Sequence, residues 1–211
     1  MQSDRTFVSY LISLAASVEQ LQHHVHLNAE CRVDLQKWSL FLSQCNGISF
    51  FLYDTVTPVE NMQFFTDATP TGFRDFFNGK WFQGHFPPNL IPQGNSASIA
   101  LFELYPIIES VVLWGNQWTK KRILVNCDNS ATVAIINKGR SKIPLIMKFV
   151  RRLIWCAAKG QFVIQARHIP GRDNLIADAL SRFQNDKFRH LVPHADLTPA
   201  MCPLASELML F

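Results

Sequence analysis

The 211-residue chain is poor in cysteine and has no Cys-x-x-Cys spacing. Its five cysteines, Cys31, Cys45, Cys127, Cys156 and Cys202, are odd in number and scattered, which argues against a disulfide scaffold and a zinc knuckle. A reducing compartment fits such usage, so an intracellular setting, cytoplasm or nucleus, is expected. His23, His24 and His26 stand close together but lack accompanying cysteines, so zinc is not expected there. No uninterrupted apolar run approaches the roughly 18–20 residues that span a bilayer, and no membrane partner is expected. The apolar stretch 7–16 is broken by serines and soon followed by Glu19, which argues against a secretory signal. Acids are also scarce between Lys120 and His190, where four stand against fifteen Lys and Arg. The bases gather as Lys120-Lys121-Arg122, as Lys138, Arg140 and Lys142 around a turn, and as Lys148, Arg151 and Arg152 at helical spacing. Each cluster alone reads equally as a solvated helix face; together, flanking acidic positions, they suit a polyanion.

What the chain does have is apolar residues, 48% of the total, enough for a sizeable core. Residues 62–66 read as a buried strand. Gly72, Gly79 and Gly84 punctuate strands and turns after it, with 80–83 a further strand of an antiparallel hairpin sheet. Pro87, Pro88, Pro92 and Gly94 mark a loop. Ser96 or Ser98 can then cap a helix with Ile99, Phe102, Leu104, Ile108 and Val112 at helical spacing, and Pro106 inside it predicts a kink. Residues 123–125 form another strand ending at Asp128, Ser130 opens a helix over 131–138, and Gly139 closes it. A helix over 144–159 begins at a proline and ends at Gly160, and 162–166 is the last strand. Asp173 or Asn174 caps a final helix whose Leu175, Ile176, Ala179 and Leu180 face inward. The pattern is a mixed α/β domain, a five-stranded mixed sheet with flanking helices.

Four acids stand out. Asp67 and Asp128 end strand-like runs, and singly each reads as a turn or cap residue. Glu103 lies in an apolar helix, where a carboxylate needs a partner or a cation to offset desolvation. Asp178 follows Asn174 by one helical turn on the face opposite the apolar one, where a solvated pair is the plain reading. Asp75 and Glu109 read as surface charges. Carboxylates at strand ends and on facing helices can converge on one point, where divalent cations relieve their repulsion; that is the layout of a two-metal phosphodiester site.

The run His168-Ile-Pro-Gly-Arg-Asp-Asn-Leu-Ile-Ala-Asp-Ala-Leu-Ser-Arg182 resembles the C-terminal motif of ribonuclease H domains fused to retroelement reverse transcriptases. Phe65-Thr66-Asp67-Ala68-Thr69 resembles that family's first active-site strand, Leu101-Phe102-Glu103-Leu104 its acidic helix, and Cys127-Asp128-Asn129 its third acidic element. Glu103-Leu-Tyr-Pro-Ile, Ser141-Lys-Ile-Pro-Leu-Ile-Met, Arg151-Arg-Leu and Ser181-Arg-Phe-Gln are similar to the wording of DIRS-type retrotransposons. Residues 23–49 resemble the connection that follows the polymerase thumb, and 188–193 the linker toward downstream coding sequence. These resemblances divide the chain into a connection-like segment (1–60), a nuclease-like domain (61–183) and a C-terminal tail (184–211) expected to be loosely held.

The resemblance implies a ribonuclease H-like fold that hydrolyses the RNA strand of an RNA·DNA hybrid, with a reverse transcriptase polymerase domain as partner in the parent element. Asp67, Glu103, Asp128 and Asp178 would hold two Mg²⁺ ions, with Mn²⁺ a possible substitute. His168, ten residues before Asp178, would be the loop histidine that assists proton transfer or product release; a histidine ending a strand is the plain alternative. Asn129 and Asn174 would contact substrate, while Lys138, Arg140, Lys142, Arg151 and Arg152 would bind phosphates by charge. There is no Tyr-x-Asp-Asp polymerase motif, and Tyr53-Asp54 stands alone, so polymerisation by this chain is not expected. The family's first hairpin runs through Gly-aromatic-Gly, whereas Gly72-Phe73 is followed here by Arg74 and Asp75, a departure expected to strain the turn or crowd the substrate. A catalytically impaired, nucleic-acid-binding remnant of the fold is the alternative. A recombinase of the same fold fits less well, given Glu103 and the 168–182 motif.

Overall fold

A computed structural model of the chain describes residues 6–20, 22–44, 62–70, 72–90, 96–182 and 184–208. Cys45, the Tyr53-Asp54 pair, Pro92 and Gly94 lie outside the described residues. The described chain opens with helices α1 (Ser9–Ala16) and α2 (Ala29–Gln44), followed by strands β1 (Phe64–Thr69), β2 (Gly72–Phe77) and β3 (Lys80–Gly84). Helix α3 (Ser96–Trp114), β4 (Arg122–Cys127), α4 (Ser130–Lys138), α5 (Pro144–Gly160) and β5 (Val163–His168) come next. The chain then forms α6 (Leu175–Ser181), α7 (Asn185–Leu191) and α8 (Ala205–Leu208).

The five strands form one mixed sheet in the order β3-β2-β1-β4-β5, antiparallel across the first three and parallel across β1, β4 and β5. With helices on both faces this is a ribonuclease H-like fold. Gly72 opens the middle strand of the hairpin sheet instead of a turn, so β2 lies where glycine punctuation suggested a connection. Its Phe73 and Phe77 alternate with Phe76: the first two join the main core with Phe64 and α3, and Phe76 joins a second cluster with Trp81, Leu180 and Phe188. One strand thus fills two cores.

The stretch Ile99–Gln117, most of α3 with the turn that follows it, is long and apolar enough to cross a membrane, but 78% of it is buried inside the protein, where α3 is the central core helix. It stays helical through Pro106. Asn129, not Ser130, caps α4: its side chain accepts from the Thr132 N–H at 2.9 Å. The helix ends as expected, with Gly139 in the left-handed conformation at φ 63°. In α5 Gly160 is the last helical residue and Gln161 takes the left-handed turn. Leu175, expected to face inward, is 47% exposed.

The first and last described segments both pack on this frame. Phe7 and Phe41 join the main core, with Phe41 against the Trp155 ring of α5 at 5.2 Å. Buried Asp34 of α2 pairs with Arg151 of α5 and also accepts from the Tyr10 N–H at 3.2 Å. At the other end the tail is tied down, contrary to the sequence expectation. The N–H groups of Asp196 and Ala200 donate to the carbonyls of Gly79 and Trp81, each at 2.8 Å. The Trp81 indole donates to the Asp196 carbonyl, and Leu208 is fully buried. The segment satisfies backbone groups on the outer edge of β3 that would otherwise be open to pairing with another chain.

Candidate active site

Strand register brings the first two acids together. β1 and β4 run parallel with Phe65 opposite Asn126, so Asp67 and Asp128, each two residues farther along, lie side by side at the carboxyl ends of adjacent strands. Asn126 locks the alignment by donating to the Phe64 carbonyl at 3.0 Å and accepting from Arg167 of β5. Gly171, on the loop after β5, comes so close that a Cβ there would stand 3.3 Å from Asp128 Oδ2. Any larger residue would crowd that carboxylate.

The other two acids arrive from the helices. Asp178 of α6 lines the same open cleft as Asp67 and Asp128, about 610 Å³, with Asn174, Arg172 and Arg182. Helix α6 is fixed to β1 by Asn174, whose amide donates to the Thr66 carbonyl at 2.9 Å. Asn174 lines the cleft but is only 1% exposed. Glu103 comes from α3 on the opposite face of the sheet, and ligand atoms of Glu103, Cys127 and Asp128 all lie within 4.8 Å of one another. Cys127 sits at the end of β4 with its thiol 3.9 Å from Glu103.

The electrostatics follow from this crowding. Burial first, then repulsion from Asp128 and Asp67, lifts the Glu103 carboxyl to about 9, although the Ala68 N–H donates to it. Asp128 is also raised, by burial and by Asp67, with His168 acting in the other direction. The Cys127 thiol is pushed up strongly by burial and by Glu103. An oxygen-rich donor set whose carboxylates repel one another is the setting a hard divalent cation fits. Cys127 is the one soft atom in it; the sequence placed it beside Asp128 in the third acidic element but gave it no role of its own.

Cations on the chain partly balance the cleft. Asp178 pairs with Arg182 at 2.6 Å and Lys187 at 3.9 Å, and Arg182 is also drawn to Asp67. Arg74 stands opposite Asp67 in the β1–β2 register and is 3% exposed; burial lowers its pKa from the ordinary value, and the attraction of Asp67 acts in the other direction. Arg74 and Asp75 have ordinary strand backbone, and the non-glycine residues with positive φ lie elsewhere, so the expected turn strain does not arise.

The remaining candidates divide. His168 ends β5 instead of standing in a loop, with Nε2 3.1 Å from the Asp128 carbonyl oxygen. Asn129 flanks the acids, with its Oδ1 committed to capping α4. Lys138, the last residue of that helix, and Arg140 and Lys142 just beyond it are exposed. Arg151 is a correction: it is buried against Asp34 and the Tyr10 ring, so it cannot meet a phosphate, although its helical spacing with Lys148 suggested a patch. Arg152 lines a separate small cleft with Trp155 and Lys159. Asp75 and Glu109 are not surface charges. Asp75 is fully buried, accepting from the Ser110 hydroxyl at 2.7 Å, and Glu109 is 1% exposed.

No family profile matches the chain, and no curated protein matches it. A solved structure of the foamy viral protease-reverse transcriptase in complex with dsDNA is similar at a TM-score of 0.29 and 11% identity, over 80% of this chain. The chain spans 38% of that protein's length. A likeness at that level carries no weight for function, which rests on the topology and the carboxylates.

Proposed function

We propose that the chain is a retroelement-derived, metal-dependent nuclease that hydrolyses the RNA strand of RNA·DNA hybrids. The supporting observation is that Asp67 of β1, Asp128 at the end of β4 and Asp178 of α6 line one cleft, while Glu103 of α3 comes within 4.8 Å of Asp128 from the other face of the sheet. The resemblance of 168–182 to reverse-transcriptase-linked ribonucleases H, and of several phrases to DIRS-type elements, supports the substrate and the origin. In such an element a polymerase domain would be the partner.

Asp67 and Asp128, side by side, would hold one side of a divalent cation pair, with Glu103 and Asp178 closing it from the two helices. When bound, Mg²⁺, or Mn²⁺ in its place, supplies water activation and stabilisation of the leaving oxygen in an in-line displacement. His168, with Nε2 3.1 Å from the Asp128 carbonyl oxygen, would move a proton at the departing RNA oxygen or hold the released phosphate. The exposed Lys138, Arg140 and Lys142 would receive backbone phosphates and orient the strand without reading sequence. Choice of the RNA strand would come from its 2′-hydroxyls and groove shape.

Asp128→Asn removes a charge at the centre of the site and keeps its shape. Cleavage of a labelled hybrid should fall by at least about 10³-fold while hybrid binding persists, a loss of transition-state stabilisation alone. Unchanged turnover would sink the assignment. Binding without cleavage by the unaltered chain would favour the non-catalytic remnant.

A further inference from the structure

Beside the carboxylate cleft, on the strand next to Asp67, stands a buried positive charge that none of the roles above uses. Arg74 sits in the middle of β2, directly across from Asp67, and its side chain shares that face of the sheet. A Cβ on Gly72 would lie 3.8 Å from Arg74 Nη1 and 3.7 Å from His85 Nδ1. The guanidinium therefore lies along the strand face, toward the hairpin end. Arg182 and Lys187 also approach the acids, but their side chains are 66% and 46% exposed and can turn away into water. Arg74 is 3% exposed, in a strand paired on both sides, and has no such exit. A guanidinium stays charged in a protein, so it adds a fixed positive charge beside Asp67.

A divalent cation and Arg74 draw on the same carboxylate and repel each other at short range. Resting on the two-metal reading of the site, we propose that Arg74 is a built-in counter-charge to Asp67 that weakens divalent-cation binding. The site then fills only at raised cation concentration or once an anionic strand adds its own phosphate ligands. Arg74 is a positioning residue, touching neither substrate nor the reacting atoms. It also helps the acids of the cleft to lie close together: Asp178 is paired with Arg182, and Asp67 faces Arg74.

The test is Mn²⁺ binding in the absence of nucleic acid, by calorimetry and by electron paramagnetic resonance of free Mn²⁺. The intact chain would be compared with Arg74→Met, Arg74→Gln, Arg74→Lys and Asp67→Asn, each checked for its unfolding midpoint. Removing the charge should tighten Mn²⁺ binding at least about ten-fold, and Arg74→Lys should stay within about two-fold of the intact chain. A purely structural arginine would instead leave binding unchanged or weaken it in all three Arg74 variants. Equal affinity for the intact chain, Arg74→Met and Arg74→Gln, lost in Asp67→Asn, would overturn this role while leaving the metal site standing. Absence of Mn²⁺ binding in every protein would overturn both. Should Arg74→Met fold poorly, Arg74→Gln decides, since it keeps hydrogen-bonding capacity without the charge.

Discussion

Glu109 offers a sharp thermodynamic check on the structure. It sits on the core helix α3, 1% exposed, and burial followed by repulsion from Glu207 of α8 raises its carboxyl to about 8, although Tyr105 hydrogen-bonds to it. The unfolded chain should ionise near the ordinary value of 4.5. Between those two pH values the unfolded state releases a proton that the folded state keeps, so stability falls as pH rises through this window. Below the window the cost is absent, and above it the cost is complete. Glu109→Gln keeps the shape and the acceptor for Tyr105 but cannot titrate. The variant should gain on the intact chain by about 3 kcal/mol between pH 5 and pH 8, since a tenfold change in a proton-binding constant is worth about 1.4 kcal/mol. Urea unfolding followed by tryptophan fluorescence, in EDTA at several pH values, reads this difference, and groups common to both proteins cancel. A difference that is flat with pH, or that runs the other way, would refute the burial of Glu109 beneath the C-terminal segment.

Other perturbations separate the roles of neighbouring charges. Arg151→Met leaves Asp34 buried without its partner and should cost about 3–5 kcal/mol in unfolding free energy, yet leave the salt dependence of hybrid binding unchanged. Lys138→Ala and Arg140→Ala should behave oppositely, with normal stability and each lowering the slope of log affinity against log salt by about one. Phe188→Ala empties a place between Phe76 and Trp81, with ring centroids 6.1 and 5.4 Å away. It should cost about 3–5 kcal/mol by urea unfolding, whereas a loosely held tail would register almost no change.

Much of this architecture was legible in the residues. Asp67 and Asp128 each follow a short apolar run, which is how a parallel pair of strands delivers side chains to its carboxyl edge. Gly139 announced the end of α4 because the left-handed conformation favours glycine there. What was not legible depended on a second element coming to cover the first. Arg151 has the spacing of a surface patch, and only the packing of α1 and α2 against α5 turns it inward. Asp75 and Glu109 each interrupt an apolar run, Glu109 in the same helix as Glu103, and they are buried because α3 meets β2 and the C-terminal segment meets α3. The tail is rich in proline and reads as loose, yet its N–H groups find the open edge of β3. Arg74 looked like an intrusion into a glycine turn, but the turn falls earlier and Arg74 is a strand residue facing Asp67. Local pattern reports periodicity and breaks; it does not report which face a later segment covers.

Cleavage of an end-labelled RNA·DNA hybrid by the purified chain in Mg²⁺, beside single-stranded RNA and duplex DNA, bears most directly on the proposed activity. Only the RNA strand of the hybrid should be cut, and both EDTA and Asp128→Asn should abolish the cutting. Cutting that persists in EDTA, or that spares the hybrid while degrading free RNA, would contradict a two-metal hybrid nuclease.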